Sequence, residues 1–432
     1  MKKLFILLLL QGLLMAASLS EITIKDTKVP VVFEEGDYIP IVSIQLVFKN
    51  AGHLANTIDG LADMSAKLLN EGTRKDGSIG FATKLDAHAV DLHAGVGRES
   101  LVLEVSALKS EFPYAVARLV ELLKDPNYTQ DALGQIKHQK LGWLKQKEAD
   151  FDNIAASSLR RTLFKGSSLA RAHDGTVESI EKIKLEDIQN FIQTRVGYNN
   201  VIAVVGGDIS LKEAEVYLKD ILTLLPKAIS SKIETVKVSD KKELVLIDED
   251  TEQASIFFGA PFDYSYKETD QHKAKIAEYL LGGGGFGSRL MEEIRVKRGL
   301  TYGVYASLRR TKSASYMSGS VQTKLSTQDE TKALVQSVVD DFVKNGITQK
   351  ELDDTKKFLL GSEPLRTETL SQRLGRAYSD YYYDRPLDFA KEQLAKIESV
   401  TLKEMNDFIK SHTELSDISF SIVTKKDANN TK

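Results

Sequence analysis

Two patterns in this chain occur twice, more than 200 residues apart, and that duplication limits what the chain can fold into. Leu122-Leu123-Lys124-Asp125-Pro126 precedes Thr129-Gln130, which opens a helical stretch through Leu133 and Ile136. Val338, Phe342, Val343 and Gly346 precede Thr348-Gln349, which opens another through Leu352 and Phe358. Ile180-Glu181-Lys182-Ile183-Lys184-Leu185, followed by Phe191-Ile192, returns as Ile397-Glu398-Ser399-Val400-Thr401-Leu402, followed by Phe408-Ile409. From Thr129 to Thr348 is 219 positions, and from Ile180 to Ile397 is 217. Nearly equal long offsets imply a duplicated domain, not a short-repeat solenoid. Thr129 and Thr348 are placed as N-caps, where a hydroxyl accepts from a free backbone N–H.

Each half mixes strands with helices. Val42 to Phe48, Leu101 to Val105, Ala254 to Phe258 and Tyr316 to Val321 alternate like half-buried strands. Phe112 to Lys124 and Thr331 to Lys344 carry apolar residues at helical spacing. Strands cluster around helices without strict alternation, so the expected class is α+β, each half a largely antiparallel sheet with helices on one face. The expected divisions are halves at 19–225 and 244–424, a polar linker at 226–243 (Pro226 to Glu243) and a frayed tail at 425–432.

The first 18 residues read as a secretory leader. Lys2 and Lys3 form a basic start, Leu4 to Leu14 an apolar stretch, and Ala16-Ala17 a small-residue cleavage zone. A roughly dozen-residue apolar run is short of the about 20 needed to span a bilayer. The expected location is periplasmic or secreted, with no membrane span after cleavage. The balance of 58 Lys+Arg against 61 Asp+Glu argues against a nucleic-acid binder, which needs a basic surface. Zero cysteine excludes disulfides, thiolate nucleophiles and Cys-ligated metal. Any metal would fall to His, Asp and Glu, and there are seven His.

Gly282 to Gly285 follow a helical run from Ala274 to Leu281. With no preceding strand and no Lys-Ser/Thr after them, they read as a turn in close backbone approach, not a phosphate cradle. His88 and His93 are five apart in a segment that reads as strand, so they face opposite ways and do not share a metal. His53, His138, His173, His272 and His412 read as isolated. No Gly-x-Ser-x-Gly elbow is present.

Two segments carry a resemblance: Gly60-Leu61-Ala62-Asp63-Met64-Ser65-Ala66-Lys67-Leu68-Leu69-Asn70-Glu71-Gly72-Thr73, and Gly285 through Val304, which includes Arg295, Gly299, Leu300, Thr301 and Tyr302. Together they resemble the pitrilysin, or insulinase-like, family of inverted-motif zinc peptidases, which includes the mitochondrial processing peptidases. The resemblance implies a clam shell of two homologous halves. Active members carry H-x-x-E-H on a helix, two imidazoles holding zinc and the Glu serving as general base. Those positions fall here on Asp63, Ala66 and Lys67. The third ligand, a Glu, should fall around Leu144 to Lys147, where the sequence reads Leu-Lys-Gln-Lys. No metal is therefore expected in this chain. Asp63 and Lys67, acid before base at i,i+4, are expected to pair with each other.

The second segment is intact. The family's Arg and Tyr, seven residues apart on the C-terminal half, match Arg295 and Tyr302, implying substrate and transition-state contacts. The family's substrate-binding sheet edge corresponds to Asp91, Leu92, His93, Ala94 and Gly95, where a peptide would add as a strand. Relatives that work as hetero-oligomers divide zinc and these contacts between subunits. The expected role is the non-metal subunit of a zinc endopeptidase, with zinc in a paralogous partner and peptide or unfolded protein as substrate. The alternative is a stand-alone peptide-binding or scaffolding protein.

Overall fold

The computed structural model describes residues 17–426, so nearly all of the leader and residues 427–432 of the tail lie outside the described residues. The strands are β1 (Ser18–Ile24), β2 (Thr27–Glu35), β3 (Ile41–Lys49), β4 (Asp91–Val96), β5 (Ser100–Leu108) and β6 (Val201–Gly207), then β7 (Leu244–Asp248), β8 (Gln253–Pro261), β9 (Val304–Arg310), β10 (Ser315–Lys324) and β11 (Ser419–Thr424). Helices of the first half are α1 (Leu61–Leu69), α2 (Gly77–Asp86), α3 (Phe112–Lys124), α4 (Gln130–Glu148), α5 (Phe151–Leu163), α6 (Val177–Lys182), α7 (Leu185–Arg195) and α8 (Leu211–Leu222). Those of the second are α9 (Gln271–Glu278), α10 (Gln328–Asn345), α11 (Gln349–Gly361), α12 (Leu370–Tyr382), α13 (Phe389–Ser399) and α14 (Leu402–Ser411).

The two sheets repeat one topology. The first runs β1-β2-β6-β3-β5-β4 and the second β7-β11-β8-β10-β9, so among the described residues β1 is the only addition. In each sheet one pair is parallel, β2 with β6 and β7 with β11; every other neighbour is antiparallel. The repeated Thr residues do what their spacing predicts: Thr129 accepts from the Ala132 N–H and Thr348 from the Glu351 N–H.

Strand periodicity shows where the cores lie. Along β3, Val42, Ile44, Leu46 and Phe48 face the first half's own helices, where Met64, Leu68 and Phe112 are also fully buried. Val47 faces the other way, together with Ile202 and Val204 of β6 and Val32 of β2. That second face is covered by α12, a helix of the other half, through Leu374 and Ala377. The loan is returned: α5 of the first half lies on β8 and β11 of the second sheet, with Leu159 and Leu163 against Phe257 and Tyr316. Burial on both faces explains why every residue of β6 is buried. Glycine admits both crossing helices. A Cβ on Gly206 would lie 2.5 Å from Leu374 Cδ1, and one on Gly259 would lie 2.7 Å from Leu163 Cδ1.

Polar contacts fasten the exchange. Arg373 of α12 donates from Nε to Glu34 at 2.6 Å, Arg98 Nη2 donates to the Tyr316 hydroxyl at 3.0 Å, and the Tyr382 hydroxyl donates to Glu99. Residues 226–243 carry no helix or strand, yet Ala228 and Val238 are buried and the Val236 N–H donates to Ser313 O. The molecule is thus a two-domain α+β fold in which each sheet borrows one cover from the opposite domain.

Candidate functional site

Helix α1 carries the degenerate motif. Gly60 turns into it with φ 86°, and Asn56 Oδ1 accepts from the Ala62 N–H at 2.8 Å. Leu61, Ala62, Met64, Leu68 and Leu69 bury one face, which fixes how Asp63, Ala66 and Lys67 project. Ala66 is buried, Asp63 half-buried and Lys67 exposed.

The expected Asp63–Lys67 pair does not form. Asp63 Oδ2 instead lies 2.8 Å from Nζ of Lys140, whose side chain is 2% exposed. The contact is a close ion pair, not an aligned hydrogen bond. The physical reason is hydration: the Lys67 amine keeps its water, whereas the Lys140 ammonium has lost nearly all of its own and gains far more from a carboxylate. Lys140 also sits 4.0 Å from the centre of the Trp143 ring and 3.8 Å from Asp174 Oδ1. Lys147 flanks the same ring at 4.1 Å and donates to Asp174 Oδ2 at 2.8 Å. Burial pushes Asp174 up, but the Lys147 hydrogen bond and the two lysine charges hold it below the usual carboxylate range.

Two histidines that the sequence leaves isolated meet here. His53, on the short turn His53–Ala55, and His173, in the loop before Gly175, stack with centroids 5.5 Å apart and planes within 6°. Burial pushes both down, and the nearby Arg160 guanidinium adds to this for His173, which falls to about 3. Both rings are therefore neutral at neutral pH. No spacing could have signalled a pair 120 positions apart. His88 is also placed differently than expected: it lies in the turn between α2 and β4, bonded to Glu111 at 2.7 Å, so only His93 is on the strand.

These residues do not fit zinc. Ring lone pairs lie in the ring plane, so stacked parallel imidazoles cannot converge on one ion. Ala66 offers no proton acceptor, and Asp63 already faces an ammonium. Among the described residues, no three His, Asp or Glu side chains gather in a way that could hold a metal.

The Arg295 segment winds more widely than an ordinary α-helix. Met291–Val296 winds with i to i+5 bonds, such as the Lys297 N–H to Glu292 O at 2.9 Å. Such wide turns recur at functional sites. Its other cations are engaged: Arg289 grips Glu351 through two bonds of 2.7 and 2.9 Å, and Lys297 and Arg298 share Glu293. Arg295 only stacks over Phe286, at 4.6 Å, and has no carboxylate partner among the described residues. Tyr302 is 91% exposed, and its hydroxyl has no hydrogen-bond partner there either. Phe286, Val296 and Tyr305 are exposed as well. Gly282, in the glycine run, lies so close to Ala306 of β9 that a Cβ would meet its backbone N at 2.5 Å. No hydrogen bond or ion pair joins Arg295 or Tyr302 to Asp63, Ala66 or Lys67 among the described residues.

The segment Asp91 to Gly95 is most of β4, which pairs only with β5 and forms a sheet edge. Asp91 and His93 are exposed, Leu92 and Gly95 half-buried and Ala94 buried. The edge is not bare. Asn70, just past α1, donates from Nδ2 to Ala94 O at 3.0 Å and accepts from the Ala94 N–H at 2.6 Å. A side-chain amide thus takes both peptide groups that an added strand would use at Ala94.

The family model described as "Insulinase (Peptidase family M16)" matches residues 31–177, and "Peptidase M16 inactive domain" matches residues 182–359. The "Non-peptidase homolog YmxG" of Helicobacter pylori is 44% identical over 430 residues, 99% of either chain. Among solved structures, the "peptidase M16 inactive domain from Pseudomonas fluorescens" has a TM-score of 0.86 at 25% identity, over 94% of this chain and 98% of that one. The "periplasmic protease PqqL from Escherichia coli" shares the fold at TM-score 0.76 and 16% identity, over 95% of this chain and 48% of that longer one. On these matches, and with Asp63, Ala66 and Lys67 in the motif positions, the chain belongs to the insulinase-like peptidase family M16 as a member lacking the zinc motif.

Proposed function

We propose that this chain is the non-metal subunit of an exported zinc endopeptidase complex, without proteolytic activity of its own. It closes the peptide chamber and presents Arg295 and Tyr302 to substrate held at the zinc of a paralogous partner. One contrast carries the reading. Where the family keeps its metal, a buried lysine is paired with Asp63. Where it keeps its substrate-contacting Arg and Tyr, both side chains are present and, among the described residues, without polar partners. Guanidinium can grip a peptide carbonyl, and a phenol can donate to a developing oxyanion. That the Helicobacter pylori relative is named a non-peptidase homolog supports the first half of the proposal. The basic-then-apolar leader supports export to the periplasm.

The test is reconstitution with the zinc-bearing paralogue from the same envelope. Arg295→Ala and Tyr302→Ala chains should assemble with that partner yet support little cleavage of unfolded peptide. Full cleavage by both variant complexes would overturn the proposal, as would chelator-sensitive hydrolysis by the isolated chain.

A further inference from the structure

Where α12 leaves the first sheet and the chain turns back, a cavity of about 270 Å³ opens between α9, the end of β9, α12 and α13. Four cationic side chains line it, Lys275, Arg310, Arg376 and Arg385, against two carboxylates, Glu363 and Asp380. Glu363 is already spent on Arg376. Arg385 is stacked on Tyr383 and Phe389 and gives Nη2 to Tyr266 O.

The remaining donors are left over. Lys275 has no ion pair or side-chain hydrogen bond among the described residues, and the charges that bear on it are Arg366, Arg376 and Arg310 against the single carboxylate of Glu363. Arg310 gives Nη2 to Glu278 at 3.2 Å, while its Nη1 is buried without a partner. Nδ1 of the buried His272, donor or acceptor according to tautomer, is unpartnered as well, and on the acceptor side so is Oδ2 of Asp380. Buried donors without acceptors cost free energy, and a native fold retains them where something else completes them. Like charges gathered around one void need a counter-charge more than they need water.

We propose that this cavity binds a small polyvalent oxyanion, a phosphate or a short dicarboxylate, with Lys275 and Arg310 as its principal donors. The ion joins α9 and β9 of the second domain to α12, the helix lent to the first sheet, and so tightens the exchange between domains. This site is separate from the Arg295 segment and does not depend on the peptidase-complex reading.

The experiment is isothermal titration of the mature full-length chain with inorganic phosphate and, separately, with succinate, each against sodium chloride of matched ionic strength. Saturable one-to-one binding of at least one probe is expected, and which one binds identifies the class. Lys275→Met should weaken that binding tenfold or more, and Lys275→Arg should retain it. Because Lys275→Met removes an unpaired ammonium, the ion-free variant should melt at or above the wild-type temperature. Absence of saturable heat with both probes in the wild type would overturn the proposal, and so would unchanged affinity in Lys275→Met.

Discussion

Nζ of Lys140, on α4, stands 2.8 Å from Oδ2 of Asp63, the first of the degenerate motif positions on α1. Removing one partner of a buried pair strands the other, at a cost of about 3–5 kcal/mol when burial is complete. Asp63 keeps a side-chain exposure of 19%, so Lys140→Met should cost nearer about 3 kcal/mol. Adding Asp63→Asn should return part of that loss, giving a double-mutant coupling well above the few tenths seen for independent sites. Urea denaturation of the four proteins measures it. Additive losses would mean that the contact stabilises nothing.

Restoring the motif alone should not restore the metal. In Asp63→His, Ala66→Glu, Lys67→His, the buried Lys140 ammonium remains beside the new imidazoles and repels a divalent cation. Metal analysis of the purified triple variant should find no stoichiometric zinc, at neutral pH and with zinc in excess. Zinc retained at one per chain would show that Lys140 can swing clear.

The Asn70 clamp on Ala94 sets how open the β4 edge is. Two bonds to the backbone of one residue, each worth a net of about 0.5–1.5 kcal/mol, must be broken before a peptide strand can pair there. Asn70→Ala should therefore tighten binding of an extended peptide by roughly tenfold, while the chain itself loses about 1–2 kcal/mol of stability. Fluorescence anisotropy with a labelled unstructured peptide provides the comparison. Equal affinities would place the peptide elsewhere than on the β4 edge.

The duplication was legible because caps and apolar spacing are local signals: Thr129 and Thr348 act as caps in the structure, and the four alternating runs became β3, β5, β8 and β10. The loss of the zinc ligands was equally plain at Asp63, Ala66 and Lys67. What replaced them was not, because Lys140 reads as one more helix lysine until α4 packs on α1. The exchange of α5 and α12 was hidden for a similar reason. Leu159 and Leu374 mark an apolar face without saying whose sheet it meets. The wide turn at Met291–Val296 escaped because apolar residues spaced for an ordinary helix also fit a slightly looser one.

Two buried groups give acid stability opposite slopes. His173 falls from the ordinary 6.5 to about 3, chiefly by burial and then by Arg160, so the unfolded chain binds the proton first. Its contribution is present above pH 6.5 and is lost as pH falls toward 3. Asp380 rises from 3.8 to about 6, chiefly by burial, so the folded chain binds the proton first. It costs stability above pH 6, and that cost disappears as pH falls to 3.8. Asp380→Asn should accordingly stabilise the chain at pH 7 and make no difference at pH 3.5. His173→Phe should flatten the loss between pH 6.5 and 4. Melting temperatures across that range check both signs, and a stabilisation by Asp380→Asn that grows toward acid would refute the assignment.

Arg373 holds the borrowed helix in place. Its Nε meets Glu34 at 2.6 Å, with the Glu34 side chain 2% exposed, and Nη1 donates to Thr367 O and Glu368 O at the start of α12. Glu34 Oε2 has no hydrogen-bond partner, so this carboxylate depends on one guanidinium. Arg373→Leu should then cost about 3 kcal/mol or more, and should act locally before it acts globally. Hydrogen exchange should quicken first in α12 and in the face of β2 and β6 beneath it, while α10 and α14 stay protected. Glu34→Gln, which removes the stranded charge, should restore much of the protection to the Arg373→Leu chain. Uniform exchange across both domains in the single variant would instead mean that α12 has no separate opening and that the two domains unfold as one unit.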